Sequence, residues 1–187
     1  MNFDLSEEQE LLQDTVKQYI QNECPMSRLR ELFDDESGWD PVLWKGLAEL
    51  GVAGLHLPEE HGGAGLEILD LALVNETLGE TAAPVPFFSH ALAGAAIDIA
   101  GSDEQKAKYL PRLASGEALG TIAFAEDGSL WNPDQWQLGD GGKLTGAKEL
   151  VPFASQADLF VIGLAGGGLA VVEKDAAGLT VSDVDGV

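Results

Sequence analysis

The stretch Ser102–Ala125, SDEQKAKYLPRLASGEALGTIAFA, starts as a helix and finishes as a strand. Ser102 followed three residues on by Gln105 has the form of a capping box, where each side chain satisfies an orphan backbone N–H at a helix start. Tyr109, Leu110 and Leu113 then share one helical face, and Gly116 suits the end. Pro111 falls inside this element and cannot donate to the helix ladder, so a kink or an early finish is expected there. Past Gly120 the spacing changes, and the short apolar run Thr121–Ala125 reads as a strand. The chain therefore divides near Gly116–Gly120, into domains expected at residues 1–117 and 118–187.

Upstream of that point the pattern is helical throughout. Ser6 and Gln9 form another capping-box pair, Leu5, Leu12, Val16 and Tyr19 recur at helical spacing, and Pro25 stops the run. Asp40 before Pro41 marks a second start, because proline is tolerated at the first helical position. Leu43, Trp44, Leu47 and Leu50 form its inner face, with Gly51 at its end. A third helix is expected from Glu67 to Leu78, and a fourth from Phe87 to Ala100, apolar nearly all round as suits a bundle centre. The acidic run Asp34-Asp35-Glu36 reads as a solvated linker.

Downstream the pattern is one of short strands and glycine-rich turns. Trp136–Leu138 and Lys143–Thr145 flank Gly139-Asp140-Gly141-Gly142, a hairpin signal. Leu159–Leu164 and Leu169–Glu173 flank a second glycine-rich turn, and Leu179–Ser182 follows a third. Five or six strands without intervening helices predict a small antiparallel β-sandwich or barrel. The fold class is thus α+β, an N-terminal all-α bundle followed by a small β-domain. The chain stops just after a strand enters a turn, which suggests a fragment or a protein completed by a partner.

Composition narrows the function. The 187 residues carry Lys+Arg 10 against Asp+Glu 32, a net charge of −22. Such a surface repels phosphate backbones and anionic bilayers, so nucleic-acid and membrane partners are not expected. The acidic opening MNFDLSEEQE lacks the apolar core of an export signal, and no run approaches the ~20 apolar residues of a spanning helix. A cytoplasmic protein is the expectation. The lone Cys24 excludes an internal disulfide and reads as an inert thiol. No Lys or Arg occurs between Lys45 and Lys106, which disfavours an anionic ligand there but not a hydrophobic tail.

Single motifs are weak. Gly163, Gly166, Gly167 and Gly168 precede a strand-like segment rather than a helix, so they suit a hairpin turn better than a phosphate cradle. His56 and His61 are five apart around Pro58, not four apart on a helix, and a structural loop is the better reading than a metal site.

Five segments in order resemble the flavin-dependent acyl-CoA dehydrogenases. They are FDLSEEQELLQDTVKQYI from Phe3, WKGLAELGVAGLHLPEEHGGAG from Trp44, DLALVNETLGE from Asp70, SDEQKAKYLPRLASGE from Ser102 and GKLTGAKELVPFASQADLFVI from Gly142. The resemblance implies an N-terminal helical bundle, a middle β-domain and a C-terminal helical bundle, of which this chain holds the first and most of the second. It implies FAD as cofactor, an acyl-CoA as substrate, an electron-transfer flavoprotein as electron acceptor and a homo- or hetero-oligomer. The α-proton is removed by a glutamate that belongs to the third part, so no catalytic residue is expected within these 187 and the isolated chain is expected to be inactive.

Carried over residue by residue, the resemblance implies two flavin-contacting segments. A Leu-Thr-Glu-Pro-like segment becomes Phe124-Ala125-Glu126-Asp127, in which Ala125 lacks the hydroxyl and only its backbone N–H remains. A Gly-x-Lys-x-Trp-Ile-Thr segment becomes Gly146 to Pro152, with Leu150 for the tryptophan and Pro152 for the hydroxyl residue. Leu150 and Val151 can pack on a ring face, while Pro152 donates no hydrogen bond. Ser129 is the candidate for the CoA pantetheine arm, after a gap. Two readings stay open: a dehydrogenase whose flavin site relies on backbone donors and a partner chain, or a non-catalytic partner subunit of a heteromeric dehydrogenase. For Phe124, Leu150 and Val151 a plain β-core role is the alternative.

Overall fold

The computed structural model describes residues 4–35, 37–126 and 142–182. These form two compact units, one of residues 1–88 with 114–116, the other of residues 89–113 with 117–187.

The first unit is helical. Helix α1 (Glu7–Glu23) opens on the expected capping box, with Gln9 N donating to Ser6 Oγ at 3.2 Å and Ser6 N to Gln9 Oε1 at 3.0 Å. Helix α2 (Met26–Phe33) is an addition to the expected elements, because Pro25 reads as a stop and gives no sign of a new helix start. Its start has no side-chain cap, but Leu32 is buried and Arg28 Nε donates to Asp40 Oδ2 at 3.1 Å. Asp40 caps helix α3 (Pro41–Glu49), where Oδ1 accepts from Val42 N and Leu43 N at 3.0 and 3.1 Å. Leu43, Trp44 and Leu47 are buried as expected, whereas Leu50 lies past the last turn and is exposed. Gly51 ends α3 in the left-handed region at φ 84°.

Helix α4 (Ile68–Glu80) packs along α1. Gln9 Nε2 donates to Asp70 Oδ1 at 3.0 Å, and Lys17 meets Glu80 at 2.7 Å. Between α3 and α4, residues Val52–Gly54 and Glu59–His61 form single 3-10 turns, so the His56–His61 segment is a structured loop. Gly63 lies so close to Leu57 that an added Cβ would stand 2.0 Å from its carbonyl oxygen.

The second unit combines helix and sheet. Helix α5 (Phe87–Ala100) matches its expected span, and α6 (Asp103–Ala114) starts on the Ser102/Gln105 capping box. Pro111 does not end α6, which runs on to Ala114 with Leu110 and Leu113 fully buried. No described helix is long and apolar enough to cross a membrane.

Among the described residues the sheet has three strands, β1 (Gly120–Ala123), β2 (Leu159–Gly163) and β3 (Leu169–Glu173), in the order β1-β2-β3. The expected antiparallel arrangement holds for β2 and β3, joined by the glycine turn with Gly166 and Gly167 at positive φ. It does not hold for β1 and β2, which pair in parallel with Gly120 opposite Leu159 and Ala123 opposite Ile162. Parallel pairing needs a long crossover, and residues 124–158 supply one. The sheet is therefore mixed. Strand β2 is central and buried at all five positions, which is why it reads as an unbroken apolar run. Lys143–Thr145 and Leu179–Ser182 form no strand, and Trp136–Leu138 lies outside the described residues. The sheet core gathers Ala123, Ala157, Phe160, Ile162 and Leu164.

Two side chains tie this unit together. His90, 1% exposed on α5, accepts from Gly120 N through Nδ1 and meets Leu113 O through Nε2, both at 3.2 Å. A carbonyl only accepts and an amide N–H only donates, so this pairing fixes the Nε2–H tautomer. Asp158 takes Leu119 N on Oδ2 at 2.9 Å and the Lys174 ammonium on Oδ1, clamping the start of β1 to the residue after β3.

Candidate functional site

The two segments singled out in the sequence, Phe124–Glu126 and Leu150–Pro152, lie side by side in the second unit. Their pairing runs antiparallel. Thr121 Oγ1 donates to Pro152 O at 2.6 Å, Glu149 N donates to Ala125 O at 2.9 Å, and Lys148 Nζ meets Glu126 Oε1 at 2.6 Å. Lys148 Nζ also donates to Phe124 O at 3.3 Å. A backbone bond, a hydroxyl–carbonyl bond and an ion pair thus zip residues 121–126 against 148–152.

The ion pair is deeply buried, its side chains 2% exposed at Glu126 and 5% at Lys148. An unpaired charge at that depth would be costly, so each partner is held by the other. The Glu126 carboxylate is consequently occupied and does not stand open as a proton acceptor. In the sequence Lys148 stands out only as the lysine of the segment Gly146 to Pro152, between Ala147 and Glu149, and nothing local to it signals a buried partner.

The remaining side chains are apolar. Leu150 is 61% exposed and adopts φ 51°, and Phe153 adopts φ 52°. Non-glycine residues pay a steric penalty there, of order 1–2 kcal/mol, so the loop conformation is imposed by its surroundings. Pro152 is exposed, while Phe124 and Ala125 are half-buried. Val151 is different, because it packs partly buried against the sheet core and so takes the β-core role. Ser129 lies outside the described residues. Among the described residues no group of three or more His, Cys, Asp and Glu is placed to hold a metal ion.

Comparison with known proteins identifies the class. Residues 6–117 match the family described as Acyl-CoA dehydrogenase, N-terminal domain. The chain belongs to the acyl-CoA dehydrogenase family. The acyl-CoA dehydrogenase IpdE2 of Mycolicibacterium smegmatis is 40% identical over 121 residues, 64% of this chain and 38% of that protein. The crystal structure of the ChsE4-ChsE5 complex from Mycobacterium tuberculosis is similar at TM-score 0.86 and 29% identity, covering 98% of this chain and 52% of that one. An acyl-CoA dehydrogenase complexed with FAD from Bacillus anthracis is similar at TM-score 0.75 and 30% identity, over 96% of this chain and 34% of that one. The chain spans between 28% and 52% of the length of the curated relatives it matches.

The zipped segments fit a flat, largely apolar ring. Leu150, Phe124 and Pro152 offer apolar surface, and the Ala125 peptide is held from both sides by bonds at Phe124 O and Ala125 O. Phe124, Ala125, Leu150, Val151 and Pro152 contribute no polar side-chain atom, so main-chain groups are what they offer to a ring's polar edge.

Proposed function

We propose that this chain supplies the helical cap and the β-module of a flavin-dependent acyl-CoA dehydrogenase, residues 1–117 forming the first and 118–187 the second. The observation that carries this reading is the antiparallel zipping of 121–126 against 148–152, in a chain of this family, which brings together two segments far apart in sequence. Bound FAD would supply the acceptor for the hydride leaving Cβ of an acyl-CoA while a carboxylate takes the α-proton.

The chain's own residues act by placement. Phe124 and Leu150 present apolar surface to a ring face and keep water from it. The Ala125 N–H is the main-chain donor for the ring's polar edge, worth more in a dry slot than in water. Val151 anchors its segment to the sheet core, and Ser129 is assigned to the pantetheine arm. Glu126 is excluded as the base because Lys148 already holds it. The base is assigned to the part of the family's length that these residues do not match. An electron-transfer flavoprotein as acceptor, assembly into an oligomer and a cytoplasmic location complete the reading.

The test is to purify the chain with added FAD, measure flavin per chain, and assay dye reduction over a panel of acyl-CoAs. Flavin uptake without turnover is expected of these 187 residues. Robust turnover would overturn the placement of the base elsewhere.

A second reading rests on a specific feature: the side-chain hydroxyls are lost at Ala125 and Pro152, and Leu150 replaces the ring-stacking residue. It makes the chain a non-catalytic partner subunit, and the likeness to the ChsE4-ChsE5 complex supports it. A colourless protein that takes up no flavin would favour it over the first.

A further inference from the structure

The ion pair of Glu126 and Lys148 is not explained by stability. Burying two charges costs several kcal/mol per ion before their attraction returns it, and a pair of apolar side chains would hold the segments as well or better. What such a pair does that apolar residues cannot is fix positions. Here the positions are particular. Lys148 Nζ bonds the Phe124 carbonyl at 3.3 Å and the Glu126 carboxylate at 2.6 Å, so one ammonium holds the residues on both sides of Ala125. Glu149 N, the next residue along, takes the Ala125 carbonyl at 2.9 Å. The peptide linking Phe124 to Ala125 has its oxygen on Lys148, and the N–H of that same planar unit points the opposite way. Lys148 therefore sets the direction of the Ala125 N–H. A residue with a hydroxyl at position 125 could reorient to suit a ligand. Alanine cannot, and the direction of its peptide plane is all there is.

We propose that Lys148 is a positioning residue for the flavin ring, aiming the Ala125 N–H through its bonds to Phe124 O and Glu126, a role that rests on the flavin reading given above.

The experiment measures FAD affinity by titration of the full chain, the visible flavin band of the bound form, and thermal melting, for three proteins. In the double variant Lys148→Met with Glu126→Gln no charge is left buried alone, so the fold is expected to survive. It should bind FAD at least about tenfold more weakly, with a flavin band closer to that of free FAD. The single variant Glu126→Gln leaves the buried Lys148 charge without its counterion and should melt lower. Its amide oxygen still accepts from the ammonium and keeps it on Phe124 O, so FAD affinity of the folded protein should stay within roughly threefold of the unsubstituted protein. A purely structural role would lower melting in proportion to affinity and would not separate the two variants. Unchanged affinity and band in a folded double variant overturns the inference and leaves the flavin reading intact. Failure of the unsubstituted protein to take up FAD overturns both. Should the double variant not fold, Lys148→Arg replaces it, since arginine keeps the charge beside Glu126 but moves the donor from Phe124 O. Weakened FAD binding by that folded protein supports the inference, and unchanged binding overturns it.

Discussion

One carboxylate oxygen of Asp40 caps helix α3 while the other takes Arg28 Nε at 3.1 Å, so a single side chain 3% exposed joins α2 to α3. The main-chain N–H of Asp40 is bonded as well, to Pro84 O at 2.9 Å. Replacement by alanine removes the cap and should cost about 1 kcal/mol on that account alone. It also leaves α2 without its tie. Asp40→Asn keeps an oxygen for Val42 N and Leu43 N and should lose less. Urea melts of the three proteins check the order; equal midpoints for the wild type and Asp40→Ala would refute it.

His90 is the corresponding tie in the second unit. Its Nδ1 accepts from Gly120 and its Nε2–H donates to Leu113 O. Substitution by phenylalanine, of similar size, strands a buried amide and a buried carbonyl. The expected cost is about 1–3 kcal/mol for each group left unpaired. Gly120→Ala should also destabilise, because the added Cβ would come 2.8 Å from Ala93 Cβ. Thermal melting of both variants tests this, and a wild-type midpoint for His90→Phe would contradict it.

Glu173 carries the acid response of the sheet edge. The Lys108 ammonium hydrogen-bonded to it holds its carboxyl below the usual range, with Tyr109 OH and Arg112 adding to the effect. A carboxylate with a depressed folded pKa stabilises above its unfolded pKa, roughly 4.3, and that contribution fades as pH falls through the lower folded value. The Lys108 shift has the opposite sign: raised chiefly by Glu173, it contributes below the ordinary lysine range and fades only as pH rises above it. Glu173→Gln should therefore lower the melting point at pH 7 and leave it nearly unchanged well below the glutamate range. The effect is small because both groups face water, and added salt should shrink it. A loss that persists unchanged at low pH would mean that packing, not charge, is at work.

Cys24 should be slow to react. Burial pushes its thiol up from the ordinary range, Asp40 adds to this, and Arg28 opposes it more weakly. Since the thiolate is the nucleophile, alkylation at pH 7 should lag behind that of a free cysteine and rise only on the alkaline side. Labelling of the native protein as fast as of the urea-unfolded chain would show otherwise.

The sequence made most of the helices visible because their ends carry side-chain signals: Ser6/Gln9, Asp40-Pro41 and Ser102/Gln105 all cap where expected. Helix α2 has no such signal, since Pro25 offers no side-chain acceptor and the helix is held by Arg28 reaching a residue twelve positions on. The strands were legible as apolar runs, but the direction of β1 was not. Alternation reports which face is buried, while pairing direction depends on the path of the crossover between Ala123 and Leu159. The site shows the same limit. Phe124–Glu126 and Leu150–Pro152 stood out by resemblance, whereas the buried bond between Glu126 and Lys148 needed the chain's tertiary course to be seen.

The departures at positions 125 and 152 give a gain-of-function prediction. If the flavin ring is held here by main-chain groups, returning hydroxyls should strengthen its binding. Ala125→Thr adds a donor beside a peptide already fixed by Lys148 and Glu149. Pro152→Ser restores an N–H and a hydroxyl while leaving the Pro152-position carbonyl free to keep its bond from Thr121 Oγ1. Each new bond should add about 1 kcal/mol, a roughly fivefold gain in FAD affinity, and because the two segments are bonded to each other and would share one ring, the double variant should depart from the simple sum. Leu150→Trp should act separately, through stacking area, and requires tryptophan to accept the positive φ that Leu150 now holds. FAD titrations of the single and double variants decide the matter: no gain from either hydroxyl would mean that the ring does not lie against these two segments.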